Sequence, residues 1–432
     1  MSTANFLTNT SIQLITKNLI TDLTGKRKVV LISTGQPSTN PRIVKEADAL
    51  HAEGYDVTVL YCFFIRWASE KDKLLLQNVR WKYKMAGGSP DTKKYLYAFT
   101  RIRCKVAGIL NRFLGNELLL AERTQGRAFD ELLKAAKKIK ADWYIGHNLG
   151  SLPVAVKAAQ YHHAKAGFDF EDYHRGELLP IAGKGLKRLN YLENKYLPLL
   201  DYFSGASTMI TKAVQKDHPD FKGRSITLLN CFPLTQQQAF IEKAAGDNTL
   251  QLFWFSQTIG FNRGLEPLIA AMRLLNDPAV HLTLAGRCDE GFMQYIQKHA
   301  GNAISNIHFA GVLSPAELPT FASKFDVGMA LELMIPENRN LCLTNKIFTY
   351  LLAGNAMILS ATDMQCVFNA AYKVGEMVQL NDVNALATKI VFYKNKERLQ
   401  AQRGYNYALA KKRMNWELES QKLTKLLIQL PR

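Results

Sequence analysis

The sequence predicts an α/β protein of two doubly wound domains, each a parallel sheet with helices on both faces. Three observations predict it. Strand-like apolar runs alternate with amphipathic helical runs through most of the chain. The alternation lapses once, between Cys231 and Asn248, in a polar stretch holding Pro233 and Gly246. The chain has 432 residues, too many for one ordinary core and enough for two units of roughly 200 residues. The expected units are 1–235, 248–410 and a terminal helical segment 411–432.

Residues 1–25 read as an extra amphipathic segment. Lys28–Ser33 is a continuous apolar run after a basic start, the pattern of a strand buried on both faces. Arg42–Glu53 follows as a helix, with Pro41 where a helix start tolerates a missing N–H. Strands are expected at Tyr55–Phe63, Val79–Tyr83, Ala141–Gly146, Ala164–Phe170, Tyr202–Ala206 and Ser225–Leu229. The second unit begins with strand Leu252–Phe255 and helix Leu265–Leu275. It continues with strand Val280–Ala285, helix Glu290–His299, strand Ile307–Phe309, a short helix near Ala316–Ser323 and strand Val327–Leu331. A helix from Asn345 is closed by Gly354, and strand Ala356–Leu359 follows. Helix Val383–Lys394 and one long helix near Ala401–Leu430 end the pattern.

Charge narrows the partners. The net charge is +18, and residues 1–225 hold 35 Lys and Arg against 21 Asp and Glu, whereas the remainder holds 20 against 16. The basic half is expected to face something anionic: nucleic acid, a membrane surface or a phosphorylated substrate. The six cysteines are scattered without a Cys-x-x-Cys pair, which fits a reducing compartment and gives no zinc framework. No apolar run reaches the length of a membrane span. The expected location is cytoplasmic, or peripheral on the cytosolic face of an inner membrane.

Ligands of doubly wound sheets bind beyond the carboxyl ends of the strands, so the loops after strands carry the candidates. Ser33–Arg42 is rich in turn formers and hydroxyls, with Gly35, Asn40 and Arg42 facing a substrate or merely making a tight turn. It lacks the glycine spacing of a dinucleotide site and the Gly-Lys-Ser/Thr of a Walker loop. His147 and Asn148 follow the Ala141–Gly146 strand, where an imidazole can exchange a proton with a substrate. Phe168–Glu177 crowds seven ionisable groups into ten residues, among them Asp169, Glu171, His174 and Arg175. They either bind a substrate or form a solvated loop, and their spacing gives no metal site.

Two loops of the second unit favour an anion. Trp254–Gly264 reads as a strand, a polar glycine-bearing loop with Gln257, a cation at Arg263 and a helix start. Thr344, Asn345 and Lys346 open the next helix, where N–H groups are unpaired and the dipole is positive. Two such loops after strands of one sheet suggest a diphosphate site. Glu332 and Glu337 stand between these features, to accept bonds from sugar or ribose hydroxyls or to cap and pair with Arg339. Arg287, after the Val280–Ala285 strand, joins the candidate nucleotide contacts. From Lys93 to Arg112 there are six basic residues and no acidic one, interleaved with Tyr95, Phe99, Ile102, Val106 and Ile109. This stretch either lies on an anionic membrane or packs its apolar stripe on the sheet.

These motifs, in this order, resemble the GT-B glycosyltransferases, most of all bacterial glycosyltransferase family 4, over about residues 28–425. Asn345-Lys346-Ile-Phe-Thr-Tyr-Leu-Leu-Ala-Gly354 resembles the family's Asn-Lys…Phe-Glu-Tyr…Gly helix. Phe255–Gly264 occupies the place of its Gly-Arg…Lys-Gly loop, His147-Asn148 that of its His-x-His-Asp/Asn segment, and Phe168–Asp172 that of its Tyr-Asp-x-His-Glu segment. Trp416-Glu417 resembles the start of a helix that crosses back to the first domain. Two departures stand out. The family's paired glutamates fall on Leu341 and Thr349, and its donor-loop arginine falls on Gln257.

The resemblance implies a retaining, metal-independent transfer of a sugar from a nucleotide diphosphate, UDP- or GDP-linked, with no further cofactor. Arg263, Lys346 and the Asn345 helix start would stabilise the leaving diphosphate, and His147 would contact the sugar. Gln257, Thr344, Glu332, Glu337 and Arg287 would bind the nucleotide. Gly35, Asn40, Arg42, Asn148 and the Asp169–Glu177 loop would hold the acceptor, lipid-linked or glycan, as in surface polysaccharide or glycolipid assembly. The alternatives are a silent GT-B scaffold, a sugar-nucleotide epimerase of the same fold, and a nucleic-acid-binding protein, for which the chain carries no recognised motif.

Overall fold

The computed structural model describes residues 26–177, 183–244 and 246–430. The amphipathic segment expected at 1–25 lies outside these residues. Seven strands build the first sheet: β1 Lys28–Ser33, β2 Asp56–Cys62, β3 Lys82–Ala86, β4 Trp143–His147, β5 Lys165–Phe170, β6 Tyr202–Gly205 and β7 Arg224–Thr227. They pair in parallel in the order β3-β2-β1-β4-β5-β6-β7. Six strands build the second: β8 Leu250–Ile259, β9 Val280–Cys288, β10 Ile307–Gly311, β11 Val327–Ala330, β12 Ala356–Ser360 and β13 Glu376–Val378. Their order is β10-β9-β8-β11-β12-β13, again parallel.

Each sheet buries both faces, which is why its strands read as continuous apolar runs. On one face of the first sheet, Val30, Ile32, Tyr144, Phe168 and Phe203 meet Leu132, Leu152 and Leu192 from helices. On the other, Val29, Leu31 and Ile145 pack on Ile43, Ala47 and Leu50 of the Pro41–Ala52 helix. Leu423, Leu426 and Leu427 join that second cluster, so the final helix, Trp416–Gln429, lies on the first domain. The Trp416 indole N–H donates to the Lys45 carbonyl at 3.0 Å, and Arg27 donates to the Leu427 carbonyl at 2.9 Å.

Topology places the ligand crevices. In each sheet the strand order reverses once, between β1 and β4 and between β8 and β11, and a crevice opens beyond the strand ends there. Ser33 and His147 are register partners at the first reversal. Gly264 and Leu331 meet at the second, where a Cβ on Gly264 would lie 3.0 Å from the Leu331 Cβ.

Several expected elements differ. The single terminal helix is two, Lys396–Lys412 and Trp416–Gln429, because the Asn415 carboxamide caps a new helix by accepting from the Leu418 N–H at 3.0 Å. Strand β8 runs on through Ile259 across a register shift between Phe255 and Thr258, so Gln257 belongs to a strand rather than a loop. The β-branched Thr258 and Ile259 favour that extension. The Val79–Tyr83 strand is displaced to β3, an edge strand fixed by one neighbour alone. Helices Arg66–Leu76, Phe129–Ala136, Thr208–Asp217 and Asp363–Tyr372, and strand β13, are additional to the expected elements.

Candidate active site

The first crevice is floored by a buried ionic network. Arg42, in the first turn of the Pro41–Ala52 helix, grips Asp169 at the end of β5 with two hydrogen bonds of 2.6 and 2.8 Å. Ser204 Oγ donates to the same carboxylate at 2.5 Å. His147 Nε2 lies 3.1 Å from Glu46 Oε2, and its Nδ1 lies 3.7 Å from Asp169. Arg42, Asp169 and His147 expose 0%, 1% and 1% of their surface. Burial disfavours charge on His147, yet Glu46 and then Asp169 hold its pKa above the ordinary imidazole value. Burial works likewise against Asp169, and the Arg42 guanidinium overcomes it, holding this carboxyl below the usual range.

The roles expected of these three residues need correction. None of the three lines the cavity above them: each is buried and engaged with the others of the network. A buried guanidinium and a buried carboxylate are stable only as each other's partner. They position the loops above them. Glu46, one helical turn from Arg42 on the same face, went without a role in the sequence, because nothing there pairs it with His147.

Above this floor lies a cavity of ≈ 430 Å³ whose wall includes Asn40, Asn148, Glu171 and His174. These four expected acceptor residues are brought together. Asn148 has φ of 64° and ψ of 149°, a conformation rarely held without support. Its carboxamide accepts from the Thr34 N–H (3.1 Å) and hydroxyl (2.7 Å) and donates to Ser33 Oγ (3.1 Å). Asn40 caps the Pro41–Ala52 helix by accepting from the Ile43 N–H. Gly35 stands beside them without lining the cavity: its N–H bonds Ser33 Oγ at 3.0 Å. Burial, with Asp172 and Asp169 nearby, pushes the Glu171 carboxyl up to about 7. Arg175 is a second correction. It turns away to Glu193 (2.6 Å), Asn194 and His218, a pairing set by the Gly183–Tyr196 helix, which supplies Glu193 and Asn194. Glu193 also meets His174 at 3.2 Å.

The second crevice carries the anion features. The Asn345–Ala353 helix starts at Thr344, which makes no capping bond and whose Oγ1 is buried without a partner. The first-turn N–H groups thus lack a side-chain cap. Lys346 stands in that turn, but its ammonium is held by Glu332 at 2.5 Å and lies 5.3 Å from the Trp254 ring. Glu332 is therefore a counter-ion, not a free acceptor for hydroxyls, and its N–H is fixed by Ser360 Oγ at 2.8 Å. Arg263, in the loop after β8, and Arg287, near the end of β9, make no ion pair among the described residues. Glu337 is exposed at the start of a short helix, Glu337–Leu341, and Gln257 is exposed on β8. Arg339 donates to the Asn262 carbonyl rather than to Glu332 or Glu337.

Where the resemblance sets glutamates, the structure has apolar contacts. Leu341 plugs the core of the first domain, and its carbonyl accepts from Ser207 Oγ at 2.5 Å. Thr349 is wholly buried with its hydroxyl unpartnered, so no group there reaches a ribose.

Two asparagines that sequence reading missed tie the crevices together. Asn338 accepts from the Tyr173 N–H (2.8 Å) and donates to Asp172 (2.7 Å) across the cleft. Asn230 donates to Asn345 Oδ1 (2.9 Å) and approaches Glu171 (3.4 Å), while its own oxygen accepts from Lys45 (2.6 Å). The cavity wall and the open helix start are thereby one side chain apart. Neither asparagine belongs to a recognisable motif.

No family profile and no curated protein matches the sequence. Solved structures do. Sucrose-phosphate synthase from Thermosynechococcus elongatus superposes with a TM-score of 0.67 at 14% identity, over 94% of this chain and 99% of that one. The HepE protein of Anabaena, in complex with UDP and glucose, superposes with 0.63 at 15% identity, over 94% and 100%. A glycosyltransferase from Rickettsia africae superposes with 0.62 at 10% identity, over 94% and 100%. With its two parallel sheets, facing crevices and returning final helix, the chain has the GT-B fold.

Proposed function

We propose that this chain is a glycosyltransferase that moves a sugar from a nucleotide diphosphate to an acceptor. The observation that carries this reading is the Glu171–Asn230–Asn345 contact, which joins a polar cavity in the first domain to an uncapped helix start in the second. Group transfer needs such an arrangement: an acceptor site and an anion site side by side, with water excluded by the closed cleft. The HepE complexes with UDP and glucose and with UDP-glucose support a nucleotide sugar as donor.

The leaving diphosphate gains charge as the glycosidic bond breaks. Arg263, Arg287 and the helix N–H groups stabilise that charge in place, with Lys346 once Glu332 releases it. This set of cations fits a metal-independent reaction, and the fold fits retention of anomeric configuration. The Lys94–Leu114 helix supports work at a membrane. Tyr95, Phe99, Ile102, Val106, Ile109 and Phe113 recur at alternating spacings of four and three, and all are exposed, Tyr95 by 94% and Phe113 by 81%. Lys94, Arg101, Lys105 and Arg112 flank this stripe on one side, the layout of an interfacial helix on anionic lipid. Arg103, on the opposite flank, is tied to Glu131 and Asp130. Among the described residues no helix is long and apolar enough to cross a membrane. A lipid-linked acceptor in surface polysaccharide or glycolipid synthesis, at the cytosolic face of an inner membrane, follows from this reading.

Calorimetry of UDP, GDP, ADP and CMP without added metal tests it. One nucleoside diphosphate is expected to bind, and Arg263→Ala to weaken it. Absence of binding by all four would overturn the reading.

A further inference from the structure

A second groove, ≈ 880 Å³, runs between the Lys94–Leu114 and Gly183–Tyr196 helices. Among the described residues its charged lining is Lys105, Arg112, Lys187 and Arg188, with no carboxylate. Lys105, Arg112 and Lys187 make no ion pair among the described residues, and Arg188 donates only to the neutral Gln125 carboxamide at 3.1 Å. Four cations around one concavity repel one another, and an anion between them removes that cost. Burial already pushes the Arg188 pKa below its ordinary value, the mark of a guanidinium short of counter-charge.

Position supplies the second half of the argument. Gly185 and Arg188 line both this groove and the acceptor cavity, so the two concavities adjoin at a shared wall. On its other side the groove borders the exposed stripe, since Ile109 belongs to both. An amphiphile lying here would have its hydrocarbon along the stripe, its charge in the groove and its polar end in the cavity.

Resting on the transfer reading above, we propose that this groove seats the phosphate of an amphiphilic acceptor, and that Lys105, Arg112, Lys187 and Arg188 select a phosphate-linked lipid over an uncharged glycolipid. A diphosphate, which links lipid to sugar yet carries two charges and four terminal oxygens, is the chemistry four donors fit better than a single diester, and a phosphate monoester is its soluble stand-in for charge.

The test uses the full chain and a soluble probe, dihexanoyl phosphatidic acid below its micelle concentration, followed by phosphorus NMR. Dihexanoyl phosphatidylglycerol is the diester control. The monoester is expected to bind, the diester more weakly, and Lys105→Gln/Lys187→Gln to weaken the monoester by about thirtyfold, from roughly 1 kcal/mol per cation. Both residues are exposed, and a melting curve shows that the variant folds. Arg112→Gln/Lys187→Gln repeats the measurement should the first variant misfold. Equal binding of monoester and diester would reduce the groove to general attraction for anionic lipid and overturn the proposal, as would unchanged affinity in a folded variant. Calorimetry of UDP, GDP, ADP and CMP on the same wild-type sample separates the two readings. Nucleotide binding without monoester binding sinks the groove alone, and monoester binding without any nucleotide sinks the transfer reading alone.

Discussion

Lys346 and Glu332 form a 2.5 Å ion pair at the mouth of the second crevice, with both side chains largely buried. The cation best placed for a diphosphate is thus already neutralised by a neighbour from the preceding loop. A ligand phosphate must compete with Glu332 for it.

That competition gives the first prediction. Glu332→Gln frees the ammonium and tightens binding of the preferred nucleoside diphosphate by about tenfold, or ~1.4 kcal/mol. Calorimetry checks it, and unchanged affinity would remove Lys346 from the site. Lys346→Ala is the less informative variant. It leaves a buried carboxylate unpaired, at a cost of about 3–5 kcal/mol in stability.

Arg263 behaves differently because it has no partner to abandon among the described residues. Arg263→Ala should raise the transfer barrier by about 2–4 kcal/mol and leave the melting temperature within a degree or so of wild type. Single-turnover rates with the identified donor measure the first, and a thermal melt the second. A full-speed variant would exclude Arg263 from leaving-group stabilisation.

Asp169→Asn should unfold far more readily than Arg263→Ala. The change leaves the Arg42 guanidinium buried with half its compensation, a loss of about 3–5 kcal/mol. Urea titration reads this as a lowered midpoint with the slope retained. A loss under ~1 kcal/mol would show that the network is hydrated, like a surface pair.

Glu171 gives a pH signature. Burial disfavours the carboxylate and pushes it up to about 7, from an ordinary 4.5. The native state therefore holds an extra proton across that window. Its contribution to stability is complete below the lower value and is lost as pH rises towards the upper one. Glu171→Gln should flatten this part of the profile, so the variant gains on wild type between about pH 5 and about pH 8. Urea midpoints at several pH values decide it, and parallel profiles would rule it out.

The fold was legible because burial on both faces of a parallel sheet leaves a direct imprint on the sequence. Lys28–Ser33, Leu265–Leu275 and Glu290–His299 were read with the bounds they have in the structure. The eight-residue Phe129–Ala136 helix escaped because barely two turns owe their stability to packing more than to their own pattern. The acceptor wall was legible in part. Asn40, Asn148, Glu171 and His174 all follow strands whose ends topology gathers at one reversal.

The sequence by itself determined which loops meet, since strand order and right-handed crossovers leave each strand end little choice of place. It determined the basic, amphipathic character of Lys94–Leu114 as well. Only the tertiary structure decided what each charge does. Arg42, Asp169 and His147 became a buried floor, Lys346 acquired Glu332, and the stripe of the Lys94–Leu114 helix turned outward instead of onto the sheet. The reason is physical. Residue type and periodicity fix how a segment folds locally, but the fate of a charge depends on which counter-charge, or how much water, the assembled domains bring within a few ångströms.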